Sequence, residues 1–188
     1  MMNDQRRGLL HSIPNQITVA RIASVPLVMY LILSESAIAR VFGVILFFLA
    51  AASDAVDGYL ARSLEQTSTF GKFADPIADK LLVSGALIAL VQLGDLSAAA
   101  VMVIVAREFL VTGLRILAIS EGEVIAASPL GKLKTVSHIA LVLAVLANRT
   151  FVLGTAGGLT QEICLWIALT LTVVSGVDYF VRTRHLFT

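Results

Sequence analysis

Four aspartates, Asp54, Asp57, Asp75 and Asp79, lie within "DAVDGYLARSLEQTSTFGKFADPIADK". Apolar sequence flanks them, "VFGVILFFLAAAS" before and "LLVSGALIALV" after. At about 100° per residue, a helix places Asp54, Asp57, Gly58 and Ala61 within an arc of about 100°. Asp75 and Asp79, four apart, share a face in the same way. Adjacent antiparallel helices can turn these two faces toward each other and gather four carboxylates in one pocket. Each acid in a bilayer costs roughly 2.5–3.5 kcal/mol, and like charges repel. Protonation or bound cations would relieve that cost. Oxygen donors without His or Cys suit hard divalent ions, Mg²⁺ or Mn²⁺. Two such ions bridged by carboxylates are an arrangement used in phosphoryl chemistry. Salt bridges to Arg62, Lys72 and Lys80 would account for one acid, and much less well for four on two facing helices.

The elements that must position these acids are apolar helices. The chain has 188 residues, 57% hydrophobic and 14% charged, against about one quarter charged in a soluble domain. With a mean hydropathy of +0.89, this predicts an all-α integral membrane protein, a single domain over 1–188 with little mass outside the bilayer. A net charge of +1 gives no reason to expect a nucleic-acid partner. The one cysteine, Cys164, sits in an apolar run. It has no partner for an internal disulfide and is expected to pack. No repeat or low-complexity tract is evident.

Six transmembrane helices are predicted, at roughly 16–34, 38–62, 74–93, 97–119, 132–148 and 159–181. Turn chemistry marks the breaks: "SES", "TSTFGK", "QLGDLS", "SEGEVIAASPLGK" and "NRTFVLGTAGG". "GTAGG" reads as loop, not as a phosphate-binding motif, since no strand precedes it. The first run carries Arg21 and lacks a clear cleavage pattern, so it reads as a span and not a leader. "NDQRRGLLHSI" before it reads as a short interfacial helix. An even number of spans puts both termini on one side, with Arg6, Arg7, Lys72, Lys132, Lys134, Arg182 and Arg184. Arg40 and Arg149 fall on the other. The positive-inside rule then makes the termini cytoplasmic. Asp54 lies about 12 Å below the end of its span, and Asp79 and Arg115 lie at a similar depth, at 1.5 Å per residue. The acids therefore share a layer just inside the cytoplasmic face.

The stretch reads D-x2-D-G-x2-A-R-x8-G-x3-D-x3-D, through Asp54, Asp57, Gly58, Ala61, Arg62, Gly71, Asp75 and Asp79. Every position resembles the signature of the CDP-alcohol phosphatidyltransferases. The resemblance implies a six-helix membrane fold, two divalent cations and CDP-diacylglycerol as donor, embedded among membrane lipid in a homodimer. It implies that an acceptor hydroxyl attacks the β-phosphorus and that CMP leaves. Asp54, Asp57, Asp75 and Asp79 would hold the metals, and Asp79 would also be the catalytic base. Gly58, Arg62 and Gly71 would line the CDP-diacylglycerol site, with Arg62 near the pyrophosphate. The resemblance also places Asn15 and Thr18, with Arg21, along the polar cleft. These residue types equally suit a helix start capped by Asn15 and Thr18, with Arg21 snorkelling.

The acceptor is read from "AREFLVTGLR" and "SPLGKLKT". Arg107 and Arg115 are about 80° apart around a helix and about 12 Å apart along it. Arginines within a span need anionic partners. With Lys132 and Lys134 they suit a phosphate-bearing acceptor, which a neutral polyol would not need. The lysines also suit positive-inside anchors, and Glu108 is placed to pair with a neighbour. "AREFLVTGLR…EGEVIAASPLGKLKT" and "IPNQITVARI" resemble the phosphatidylglycerophosphate synthase branch of the family, which implies sn-glycerol 3-phosphate as acceptor. Thr112 stands where serine is expected there, and Ser120 where an acid is common. The enzyme is thus expected in the inner membrane with its active site facing the cytoplasm. Two alternatives stay open: a sibling enzyme using inositol phosphate, serine or phosphatidylglycerol, and a small cation transporter whose ion site is the acidic cluster.

Overall fold

A computed structural model describes the backbone of residues 13–63, 69–122 and 128–184; within them, the side chains of 13–15, 17, 54–63, 69–76 and 79 lie outside the description. Among the described residues the chain is all helical: α1 (Ile13–Leu33), α2 (Ala37–Ser63), α3 (Thr69–Gln92), α4 (Ala98–Ser120), α5 (Pro129–Phe151) and α6 (Gly154–Thr183). Each predicted span falls on one of them. The interfacial helix expected in "NDQRRGLLHSI" lies outside the described residues. Among the described residues two helices, α5 and α6, are long and apolar enough to cross a membrane; Thr18–Leu33, Ala37–Ser53 and Lys80–Gln92 are shorter apolar stretches.

The chain forms two compact units, Met1–Ala89 and Leu90–Thr188, divided within α3. In the first, α1 packs on α2 around Val28, Ile32, Phe47, Ala50 and Leu82. Gly43 brings α2 close to α1: a Cβ there would stand 3.1 Å from the Leu31 Cβ. Gly85 does the same for α3, with Val25 Cγ1 2.9 Å from where its Cβ would be. Small residues let apolar helices pack backbone to backbone when no hydrophobic force drives them together. Arg40 closes the α1–α2 turn by donating to the carbonyls of Ser34 at 3.3 Å and Glu35 at 2.9 Å.

In the second unit α6 packs on both α4 and α5, around Ile104, Leu141, Val145, Leu146 and Ala168. α5 starts three residues before its predicted position, because Ser128 accepts a hydrogen bond from the Gly131 N–H at 3.1 Å and Pro129 takes the first turn. It ends at Val152, in the left-handed region with φ 51°, whose N–H returns to the Asn148 carbonyl. The expectation that "GTAGG" is loop is corrected: these residues open α6. The glycines serve a close approach. A Cβ at Gly157 would fall 2.1 Å from Asn148 Oδ1 and 2.6 Å from the Leu153 Cβ.

Candidate functional site

The carboxylate signature sits on two helices. Asp54, Asp57, Gly58 and Arg62 lie in the last turns of α2, and Gly71, Asp75 and Asp79 in the first turns of α3. The helical backbone gives the three- and four-residue spacings the shared faces that the sequence predicted. Asn15 lies in the first turn of α1. The side chains of all eight lie outside the described residues.

What leads up to the signature is described. Arg21 is 3% exposed, and its Nε and Nη2 donate to Ser53 Oγ at 3.3 and 3.1 Å. Ser53 immediately precedes Asp54, and its own hydroxyl donates to the Ala50 carbonyl at 2.8 Å. Arg21 therefore ties α1 to α2 next to the first aspartate. This removes the snorkelling alternative, since the guanidinium is buried against a neighbouring helix. Thr18 lies inside α1 and is fully buried, so it does not cap the helix. Nothing in the local sequence marks Ser53 as the partner, because the contact spans 32 residues.

The cations expected to meet the acceptor fall in the second unit, and they separate into two kinds. Arg107 on α4 and Lys134 on α5 are held. The Glu108 carboxylate accepts from Arg107 Nη1 at 3.4 Å and from the Lys134 ammonium. Arg107 Nη2 donates to Ser175 Oγ on α6 at 3.0 Å. Lys134 is 5% exposed, so it is no surface anchor. Arg115 and Lys132 are exposed, and neither has an ion pair among the described residues. Next to the held pair, His138 is buried and shares a 2.8 Å hydrogen bond with Thr172. The roles of Ser175 and Glu108 were only half legible: polar residues within apolar runs need partners, but which partner they take is set by packing.

The α4–α6 face is otherwise apolar. It leaves an open groove of about 1080 Å³, with Leu110, Leu114 and Phe180 along it and the Arg107 side chain in its wall.

A family model described as CDP-alcohol phosphatidyltransferase matches residues 11–174. A CDP-diacylglycerol–glycerol-3-phosphate 3-phosphatidyltransferase from Bacillus subtilis is 46% identical over 184 residues, covering 91% of this chain and 94% of that protein. A protein of the same name from Rickettsia bellii is 39% identical, covering 94% of this chain and 97% of its own length. A probable phosphatidylglycerophosphate synthase from Mycobacterium tuberculosis is 38% identical, covering 94% and 83%.

Proposed function

The chain belongs to the CDP-alcohol phosphatidyltransferase family, and we propose that within it this protein transfers the phosphatidyl group of CDP-diacylglycerol to sn-glycerol 3-phosphate. The products are phosphatidylglycerophosphate and CMP. The observation that carries the reading is the similarity along nearly the whole chain to relatives named for this reaction. The complete aspartate signature at the α2–α3 ends supports it.

The donor set fits divalent cations: carboxylate oxygens only, at helical spacing on two successive helices. Asp54, Asp57, Asp75 and Asp79 would hold two of them, Mg²⁺ or Mn²⁺, whose charge would offset that of the diphosphate and the departing CMP. Asp79 takes the proton of the acceptor hydroxyl as its oxygen bonds to the β-phosphorus; the bond from that phosphorus to the CMP oxygen breaks. Arg62 meets the pyrophosphate, and Gly58 and Gly71 let the nucleotide approach the backbone. Asn15 lines the same cleft; Thr18, with no exposed surface, supports that end of α1 from within and does not meet the substrate. Arg107, Arg115, Lys132 and Lys134 receive the acceptor phosphate.

All six helices are read as spans, and both termini and the active site as cytoplasmic, in an inner-membrane homodimer. Large apolar side chains exposed on the helices, among them Tyr30, Ile38, Leu110 and Trp166, support embedding in lipid. The positive-inside count supports the orientation.

The test is CMP release from CDP-diacylglycerol by purified protein with divalent metal, across a panel of acceptors. Turnover with sn-glycerol 3-phosphate well above that with inositol phosphate, serine or phosphatidylglycerol is expected. Preference for one of those would move the protein to a sibling activity. Metal flux without CMP release would identify a transporter.

A further inference from the structure

Arg107 and Lys134 come from different helices, yet one carboxylate joins them. Glu108 accepts from both. Two cations brought this close inside an apolar bundle repel each other, and a shared anion is what lets them stay. The arrangement fixes more than charge. Arg107 is held at Nη1 by Glu108 and at Nη2 by Ser175. Its stem lies on α6 where Gly176 has no side chain: a Cβ there would stand 3.2 Å from Arg107 Cγ. Its Nε is buried without a hydrogen-bond partner. A buried donor left unpaired is costly. The same holds for Arg40 and Arg149, so what sets Arg107 apart is the carboxylate it shares with a second cation from another helix.

We infer that Glu108 is a positioning residue for the acceptor phosphate. It locks the Arg107 guanidinium and the Lys134 ammonium side by side across α4 and α5, and Ser175 fixes the guanidinium from α6. The exposed Arg115 and Lys132 have no such frame among the described residues. Orienting the pair before the acceptor arrives removes the side-chain ordering cost from binding. Glu108 itself touches neither substrate. The inference rests on the proposed role of Arg107 and Lys134 in holding the acceptor.

The experiment compares Arg107→Ala, Glu108→Gln, Glu108→Asp and Ser175→Ala with the unaltered full-length protein. It measures kcat, the KM of each substrate, inhibition by inorganic phosphate, and melting temperature. Glu108→Gln keeps the shape and loses the charge. It should raise the acceptor KM about tenfold and weaken phosphate inhibition in parallel. The KM for CDP-diacylglycerol should stay within about twofold, since no group meeting the nucleotide is altered. Glu108→Asp should recover part of the loss. Ser175→Ala, which removes one hydrogen bond, should raise the acceptor KM about threefold. A fall in melting temperature with both KM values unchanged would make Glu108 structural and overturn the inference. If Arg107→Ala raises the acceptor KM but Glu108→Gln and Ser175→Ala do not, positioning alone is wrong. If Arg107→Ala also leaves it unchanged, the acceptor site itself is misassigned and the inference falls with it. Should Glu108→Gln fail to fold, Ser175→Ala decides.

Discussion

Arg149 of α5 grips Asp95 through a single nitrogen, with Nη1 2.8 Å from Oδ1 and 2.9 Å from Oδ2. Gln161 of α6 donates to the Asp95 carbonyl at 2.8 Å, and Asn148 donates to Gln161 Oε1 at 3.3 Å. The turn after α3, the end of α5 and the start of α6 are thereby joined. The Lys/Arg asymmetry predicts a non-cytoplasmic position for Arg149; the structure gives its side chain this clamp. The pair is partly exposed, so screening limits its worth. Arg149→Ala should lower stability by roughly 1 kcal/mol. Thermal unfolding would register the loss, while the KM of either substrate stays unchanged.

Two neighbouring glycines at the start of α6 should respond oppositely to alanine. At Gly157 the new methyl meets Asn148 and Leu153 well inside contact distance. Overpacking of this kind costs on the order of 1–3 kcal/mol. At Gly158 nothing lies within 4 Å, so alanine there should be neutral or stabilising by up to about 1 kcal/mol through helix propensity. Equal melting temperatures for Gly157→Ala and Gly158→Ala would contradict the close α5–α6 approach.

The aspartates should act as a unit. Asp54→Ala, Asp57→Ala, Asp75→Ala and Asp79→Ala are each expected to abolish turnover, because losing one ligand would disrupt the proposed cation site. Chelation by EDTA should do the same reversibly, with activity returning on addition of Mg²⁺ or Mn²⁺. Robust CMP release in chelator would end the two-metal account.

What the sequence made legible follows the range of the forces involved. Helical spacing is local, so the shared faces of Asp54 with Asp57 and of Asp75 with Asp79 could be drawn from period alone, and α2 and α3 carry them as helices. Breaks such as "SES" and "QLGDLS" also depend on nearby residues. The start of α6 was hidden because glycine serves two ends: it loosens a loop, and it also lets helices touch. Only the distance from Gly157 to Asn148 separates the two. Partners of buried charges were hidden for another reason. Ser53 lies 32 residues from Arg21, and Ser175 lies 68 from Arg107; a periodic pattern carries no information at that separation. That Arg107 and Glu108 needed partners was readable from their place in an apolar run.

Orientation in the membrane rests on the Lys/Arg asymmetry and has a direct test. In a Cys164→Ser background, a cysteine at Ser68 should be labelled from the cytoplasmic side only. One at Ser97, which precedes α4, should be labelled from the opposite side only. Reversed labelling would overturn the topology and the route by which a water-soluble acceptor reaches the site.

The acceptor and nucleotide assignments can be separated by kinetics. If Arg107 and Arg115 hold the acceptor phosphate, replacing either should damage acceptor use and leave CDP-diacylglycerol binding intact. Hydrogen bonds from a charged group contribute about 1.5–3 kcal/mol each. At about 1.4 kcal/mol per decade, Arg115→Ala should raise the sn-glycerol 3-phosphate KM roughly ten- to a hundredfold. Arg115→Lys should restore only part of that, since a point charge replaces a planar fork. Arg62→Ala should do the converse and weaken CDP-diacylglycerol. The measurement is a matrix of both KM values across Arg62→Ala, Arg107→Ala and Arg115→Ala. Arg115 is the cleaner probe, because it is exposed and its removal strips no partner from another described side chain. Arg107→Ala also removes one partner each from Glu108 and Ser175, so part of its effect will be reorganisation. An unchanged acceptor KM in both arginine variants would leave the choice of a phosphorylated acceptor without a physical basis.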